Sequence, residues 1–361
     1  MELSVAAGVV TLGHLALHGC SAPASKDSGA SMAATTPASE SNAATLAYLP
    51  TADDGLAGVE FFALDTVCTI KAYATNGLLE SLYERCVYFE QHLSRHLENS
   101  DVSRINAANG EPVEVAAETA DVIAQALLYS KESGGLFDIT VGTALELWDF
   151  RKGIVPNAEE LAEAVKHIGW QGVTVKGNTV TLLDPKTKID LGGIAKGYIA
   201  DDLARMLREA GCEGALVNLG GNVYALGAKA NGSEWNIGLQ DPNDERGAII
   251  GKMKARDASV VTSGLYERNF EHDGVLYYHI LDPLTGYPAK TDIVSVSVYS
   301  KKSVDGDAYA TTLFLMGADK ALKLLGSKDA LEGLVVDETG AIHPSTGFEW
   351  ERLDAPEGGK E

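Results

Sequence analysis

The chain has 361 residues, of which 45% are hydrophobic, with a formal net charge of -22 and a sequence pI near 4.7. That length suits a full core, in one large domain or two smaller ones. Such acidity argues against nucleic acid and anionic lipid as partners of the folded surface. An anionic ligand can bind only where metal, lysine and backbone donors locally reverse the sign, so a phosphate site here predicts a bound cation.

The four cysteines, Cys20, Cys68, Cys86 and Cys212, form no C-x-x-C pair, which argues against zinc and iron–sulfur centres. Cys68, Cys86 and Cys212 lie in apolar contexts and read as small buried hydrophobes. Residues 3–17 are mostly apolar and run into L-H-G-C at 17–20. This resembles a bacterial lipoprotein signal peptide and is too short for a membrane span. It predicts a signal at 1–19 and a mature chain beginning at lipidated Cys20, held at the extracytoplasmic face of the cell membrane. Glu2, where Lys or Arg is expected, and His18 beside the cysteine depart from that pattern. Residues 21–54 are rich in Ser, Ala and Thr and read as a flexible tether. The expected division is a lipidated linker at 20–57, a folded region at 58–353 and a polar tail at 354–361.

In chain order, residues 59–74 alternate as strands do, 78–92 have helical spacing, 93–106 read as a polar loop, and 119–133 form an amphipathic helix. F-D-I-T-V follows at 137–141, then Gly142, then L-W-D-F at 147–150. Residues 157–167 predict a short helix and 173–183 a hairpin around Gly177-Asn178. A strand pattern ends at Asp190 and Leu191, and a helix occupies 198–210. Residues 215–226 read as a strand interrupted by Gly220 and Gly221, the mark of a bulge or close ligand approach. Further strands are expected at 235–239, 249–255, 259–262, 276–281, 293–299 and 333–336, with a loop at 282–288 and a long apolar helix at 307–325. Strands clustered with turns, without strict alternation with helices, favour α+β. There is no internal repeat.

Three stretches carry chemistry. D-L-G-G-I-A-K-G-Y-I-A-D, at 190–201, places Gly192 and Gly193 at a turn into a helix, with Lys196 one turn in. Backbone amides, the positive helix end and Lys196 suit a phosphate or diphosphate. The competing reading is a tight packing turn with a solvated lysine. In V-D-G-D-A-Y-A-T-T, Asp307 and Thr311 are four apart, which stacks a carboxylate and a hydroxyl on one helix face. Both are hard oxygen ligands suited to magnesium. The competing reading is a first-turn Asp favouring the helix dipole, with Thr311 bonding back to the backbone. In H-I-L-D-P-L-T-G-Y-P, His279 leaves a strand beside Asp282 and is a candidate general base; a lone strand histidine is more often structural. G-x-x-x-x-G-K-[ST] and strand-linked G-x-G-x-x-G are both missing, which argues against ordinary nucleoside triphosphatases and Rossmann dehydrogenases.

Taken together, the motifs resemble the ApbE family of FAD:protein FMN transferases over about residues 59–352. They stand in family order: L-D-T at 64–66, S-R-I-N at 103–106, F-D-I-T-V-G at 137–142, D-L-G-G-I-A-K-G-Y at 190–198, V-N-L-G-G-N at 217–222, T-S-G-L-Y-E-R at 262–268, H-I-L-D-P at 279–283 and D-A-Y-A-T at 307–311. The resemblance implies an α+β fold with mainly antiparallel sheets that binds FAD and magnesium. It also implies transfer of FMN to a Thr or Ser hydroxyl of an acceptor flavoprotein, with release of AMP. By the family pattern, Asp307, Thr311 and the Gly193 carbonyl hold the metal, and Leu64, Leu136, Phe137, Asp138, Asp190, Lys196 and Ile280 line the FAD site. His279 is the candidate base, and Asp305 is a candidate extra metal ligand or outer carboxylate. Two positions depart from the pattern: Leu64 stands where many members have Met, and His96 where many have Tyr packing near the flavin. His96 leaves open a balance between transfer and hydrolysis of FAD to FMN and AMP. The remaining alternative is a flavin-binding lipoprotein without catalysis.

Overall fold

The structure, a computed structural model, describes residues 46–243, 248–328 and 330–353. Cys20, the expected signal and the polar tail lie outside the described residues. The chain opens with a meander of β1 (Ala47–Leu49), β2 (Ala57–Ala63) and β3 (Thr66–Ala72), followed by α1 (Asn76–Leu93), α2 (Asp101–Ala107), β4 (Val113–Glu114) and α3 (Ala117–Glu132). Then come α4 (Gly142–Leu145), α5 (Ala158–Val165), β5 (Val173–Lys176), β6 (Thr179–Leu182), α6 (Ala195–Glu209), β7 (Gly214–Leu219) and β8 (Asn222–Gly227). Next in line are β9 (Trp235–Gln240), β10 (Ile249–Ala255), β11 (Ala258–Gly264), β12 (Asn269–His272), β13 (Val275–Tyr278) and β14 (Ile293–Ser300). The last elements are α7 (Ser303–Met316), α8 (Ala318–Leu325), β15 (Leu331–Asp337), β16 (Ile342–Pro344) and β17 (Glu351–Arg352). The fold is α+β, as expected.

The frame is a nine-stranded antiparallel sheet in the order β1-β2-β3-β7-β8-β11-β14-β15-β16. Alternation along its strands divides two cores. Ala215, Val217 and Leu219 of β7 pack with buried residues of α1 and α6, while Leu216 packs with Trp235, Ile237 and Met253 of the smaller β17-β10-β9 sheet. Toward the far edge, Val296, Val298 and Val335 pack with Leu313 and Phe314 of α7. Covered on both faces, the central strands read as apolar runs rather than clean alternation.

Five local expectations change. A tether reaching Asp54 is too long, because residues 47–49 pair with β2 in register Tyr48↔Val59, and Leu46 packs on the core. The polar stretch 93–106 contains α2, because Ser100 caps it by accepting from Ser103 N–H (3.0 Å). No strand leads into Asp190. That segment is extended but held by a side chain: Asn106 accepts from Ile189 N–H (2.8 Å) and donates to Ile189 C=O (2.9 Å). The interrupted strand at 215–226 is a hairpin, since Gly220 (φ +61°) and Gly221 (φ +89°) form the two-residue turn that needs positive φ twice. The long late helix begins at Ser303 and breaks at Gly317 (φ +79°) into α7 and α8.

Candidate active site

The site is built where α6 and α7 meet. Gly197 makes this possible. A Cβ there would stand 2.5 Å from Ser303 O, 2.7 Å from Val304 Cα and 2.8 Å from Asp307 Cβ, so only glycine allows the approach. Asp307 is the fifth residue of α7, not a first-turn residue as the sequence implied. Its Oδ2 accepts the Gly197 N–H at 2.8 Å. Burial raises its pKa, opposed by the Lys196 charge and by that N–H.

Gly197 is the third residue of α6, so its N–H is one of the first-turn amides without an intrahelical partner, and Asp307 takes it. Gly193 stands just outside the helix, before the N-cap Ile194, and its oxygen accepts no hydrogen bond among the described residues. Thr311 is in the same state. Its neighbour Thr312 bonds back to Ala308 O at 2.8 Å, whereas the Thr311 hydroxyl has no hydrogen-bond partner among the described residues. A Cβ on Gly193 would lie 3.4 Å from Thr311 Oγ1, which sets those two residues side by side. So the reading of Thr311 as a back-bonded helical threonine does not hold. Three oxygens with no hydrogen bond among the described residues, the Gly193 carbonyl, Thr311 Oγ1 and Asp307 Oδ1, belong to neighbouring residues at the α6–α7 junction. A carboxylate, a hydroxyl and a carbonyl make the hard donor set that magnesium takes while keeping waters for itself. No three His, Cys, Asp or Glu side chains converge to hold a metal among the described residues.

Around this point the turn is pinned from several directions. Asp190 Oδ1 accepts from Gly192 N–H (2.8 Å), and its Oδ2 pairs with Arg95 Nε (2.9 Å). Ser103 Oγ donates to Arg95 O (3.1 Å), mooring the loop that carries exposed His96. Phe137 is buried, and its ring edge would come within 3.1 Å of a Cβ on Gly193. Leu136, beside it, is half-buried. Gly142 lets α4 press on the segment before Asp190, because a Cβ would sit 2.6 Å from Ile189 C. Asp138 is occupied within the protein: it accepts from Thr140 N–H (2.8 Å), Thr140 Oγ1 (2.6 Å) and Trp170 N–H (3.0 Å). Burial raises its pKa against those donors. It shapes the wall rather than offering a free carboxylate.

Lys196, half-buried at the start of α6, forms no ion pair among the described residues. Its charge acts on both Asp307 and His279, which brings a third chain segment to the site. His279 donates its N–H to Arg268 O (3.1 Å), one rung past the β12–β13 ladder. The residue is partly exposed, but Nδ1 is sealed from water and has no partner among the described residues. Burial, reinforced by the Arg268 and Lys196 charges, pulls the imidazole down from 6.5 to about 3, so it is neutral at physiological pH. Ile280 is core, packed with Tyr278 and Leu313. Asp305 is engaged elsewhere, accepting from the Tyr129 hydroxyl.

Leu64 sits at the β2–β3 turn with φ +54°, and Asp65 follows at +61°. Two non-glycine residues in the left-handed region are strained. The turn is held by Glu90, which accepts Leu64 N–H at 3.0 Å, and by Asp65, which pairs with Arg151 and with Arg268 (3.1 Å). Sequence reasoning misses Glu90, Arg95, Arg151 and Arg268. Arg268 lies inside one of the ordered motifs, and Arg95 one residue before His96. The others carry no local signal, because their partners are distant in the chain.

Residues 64–335 match the family model described as the ApbE family. The chain is 34% identical over 311 residues to the FAD:protein FMN transferase of Treponema pallidum, spanning 79% of this chain and 85% of that protein. It is 37% identical over 279 residues to one from Klebsiella pneumoniae, spanning 76% and 86%. Among solved structures, the ApbE protein of Thermotoga maritima superposes with a TM-score of 0.74 at 35% identity, over 81% of this chain and 97% of that one. The flavin transferase ApbE from Vibrio cholerae superposes with 0.72 at 28% identity, over 84% and 98%. The chain belongs to the ApbE family.

Proposed function

We propose that this protein is an FAD:protein FMN transferase that moves FMN from FAD to a Thr or Ser hydroxyl of an acceptor flavoprotein, with release of AMP. The observation that carries the reading is the set of three uncommitted oxygens on Gly193, Asp307 and Thr311 beside unpaired Lys196. Gly193, Asp307 and Thr311 would hold magnesium, which when bound supplies positive charge to the diphosphate. Lys196 neutralises part of the remaining phosphate charge. Leu64, Leu136 and Phe137 offer apolar surface to the flavin end, and Asp190 keeps the turn in shape.

The acceptor oxygen attacks the phosphorus on the flavin side, and the bond from that phosphorus to the bridging oxygen breaks. AMP leaves with the bridging oxygen. Neutral His279 is the candidate acceptor of the hydroxyl proton. Most of the acceleration then comes from orientation and charge placement. By its leader, the mature chain is anchored through lipidated Cys20 at the extracytoplasmic face; mass spectrometry of the native N-terminus tests this.

The assay incubates the protein with FAD, magnesium and an acceptor domain, followed by denaturing electrophoresis for covalent flavin. A fluorescent acceptor band that requires magnesium and is lost in D307A is expected. AMP with free FMN and no labelled acceptor, from an acceptor proven competent, would replace transfer by hydrolysis. FAD recovered intact would leave only binding.

A further inference from the structure

Asp201, at the end of the glycine-rich stretch, has no part in the reaction outlined above, yet both its oxygens are used. Oδ1 accepts from Ser303 N–H (2.8 Å) and Oδ2 from Val304 N–H (3.0 Å). These are first-turn amides of α7, whose own N-cap residue, Lys302, contributes no side-chain hydrogen bond. In return, Asp307 of α7 takes the Gly197 N–H of α6 (2.8 Å). Gly197 and Asp201 are four apart on α6, and Ser303 and Asp307 are four apart on α7. Each pair therefore lies on one face of its helix. The two carboxylates are exchanged between antiparallel helices at points one turn apart. A single tie would let the helices slide or rotate; two ties fix both, since a one-residue slip of about 1.5 Å breaks them together.

We propose that Asp201 is a positioning residue: it sets the register of α7 against α6, and so brings Asp307 and Thr311 to the Gly193 carbonyl. The claim rests on the cation reading of that oxygen set. It also explains why a residue of α6 supplies the cap that α7 lacks. Without Asp201, α7 keeps its apolar packing but loses the anchor at its first turn. The free carbonyl of Gly193 and the free hydroxyl of Thr311 then no longer share one point. Second-layer partners of this kind change metal affinity by about 10–100-fold.

The test uses the full chain and Mn2+ alone, followed by electron paramagnetic resonance, with amide exchange at Gly197 as an independent readout. D201A is expected to weaken Mn2+ binding at least about 10-fold, with D201N in between because one oxygen remains. Exchange at Gly197 should accelerate in both. N157A is the control: Asn157 caps α5 by accepting from Glu159 N–H (2.8 Å) and has no part in the α6–α7 junction. Its loss should lower stability and leave Mn2+ affinity unchanged. Wild-type affinity in D201A, or an equal loss in N157A, overturns the proposal, and D201N decides alone if D201A does not fold. If the wild type binds no Mn2+, the cation reading fails, and amide exchange alone decides the register: unchanged protection of Gly197 in D201N overturns it.

Discussion

Replacing Gly197 with alanine tests the packing that builds the site. All three atoms nearest the added methyl, Ser303 O, Val304 Cα and Asp307 Cβ, lie within 2.5 to 2.8 Å, and two of them are backbone. Ordinary contact begins near 3.4 Å, so α6 and α7 must part by the better part of an ångström. Overpacking of this kind costs about 1–3 kcal/mol. Stretching the 2.8 Å bond from Gly197 to the Asp307 carboxylate costs about 1.5–3 kcal/mol more. Alanine returns about 1 kcal/mol of helix propensity. The net expectation is a loss of roughly 1.5–5 kcal/mol in urea unfolding, read as a shifted midpoint at constant slope. Displacing the Gly193 and Asp307 oxygens by that distance should also lower the transfer rate about 100-fold. A G197A protein with wild-type stability and full magnesium-dependent activity would refute the packing argument, because it would mean the helices are not in contact here.

Thr311→Val should sharply lower magnesium-dependent transfer with little change in melting temperature, whereas Thr312→Val should cost about 1 kcal/mol through its lost bond to Ala308 and leave activity near normal. The reverse pattern in thermal melts and flavin transfer would sink the assignment. His279 is held well below its unfolded value, at about 3, so its neutral form is retained as pH falls. Its effect on stability is nil above the unfolded pKa and grows as a penalty from near pH 6.5 down to about 3. H279N should therefore gain up to roughly 3–5 kcal/mol on the wild type over that window, measured by denaturation at each pH. For the same reason kcat/KM should show no limb near 6.5 that disappears in H279N. Leu64→Gly relieves a left-handed leucine (φ +54°) but removes a side chain packed on the core, and FAD titration by flavin fluorescence should show weaker binding. Unchanged FAD affinity would remove Leu64 from the flavin surface.

Much of the architecture was legible because its signals are local. The Gly177-Asn178 hairpin, the amphipathic faces of α1 and α3 and the apolar strands all follow from spacing and turn chemistry. The ordered motifs also pointed to Gly193, Lys196, His279, Asp307 and Thr311. Signals that failed were those where a distant group supplied what the local sequence lacked. The segment before Asp190 looks like a strand, but its hydrogen bonds go to the side chain of Asn106. Asp307 looks like a first-turn residue, yet Asp201 starts α7 a turn earlier.

From the sequence alone came the α+β class, the candidate metal-binding groups and the kind of chemistry, because residue types, spacing and glycine placement are properties of the chain itself. Which oxygens are left free was decided only by the fold. The Gly193 carbonyl stands unbonded just before the N-cap of α6, and the first-turn amide of Gly197 is taken by a carboxylate 110 positions further along. No local pattern encodes that exchange; it exists only once α6 and α7 touch through Gly197.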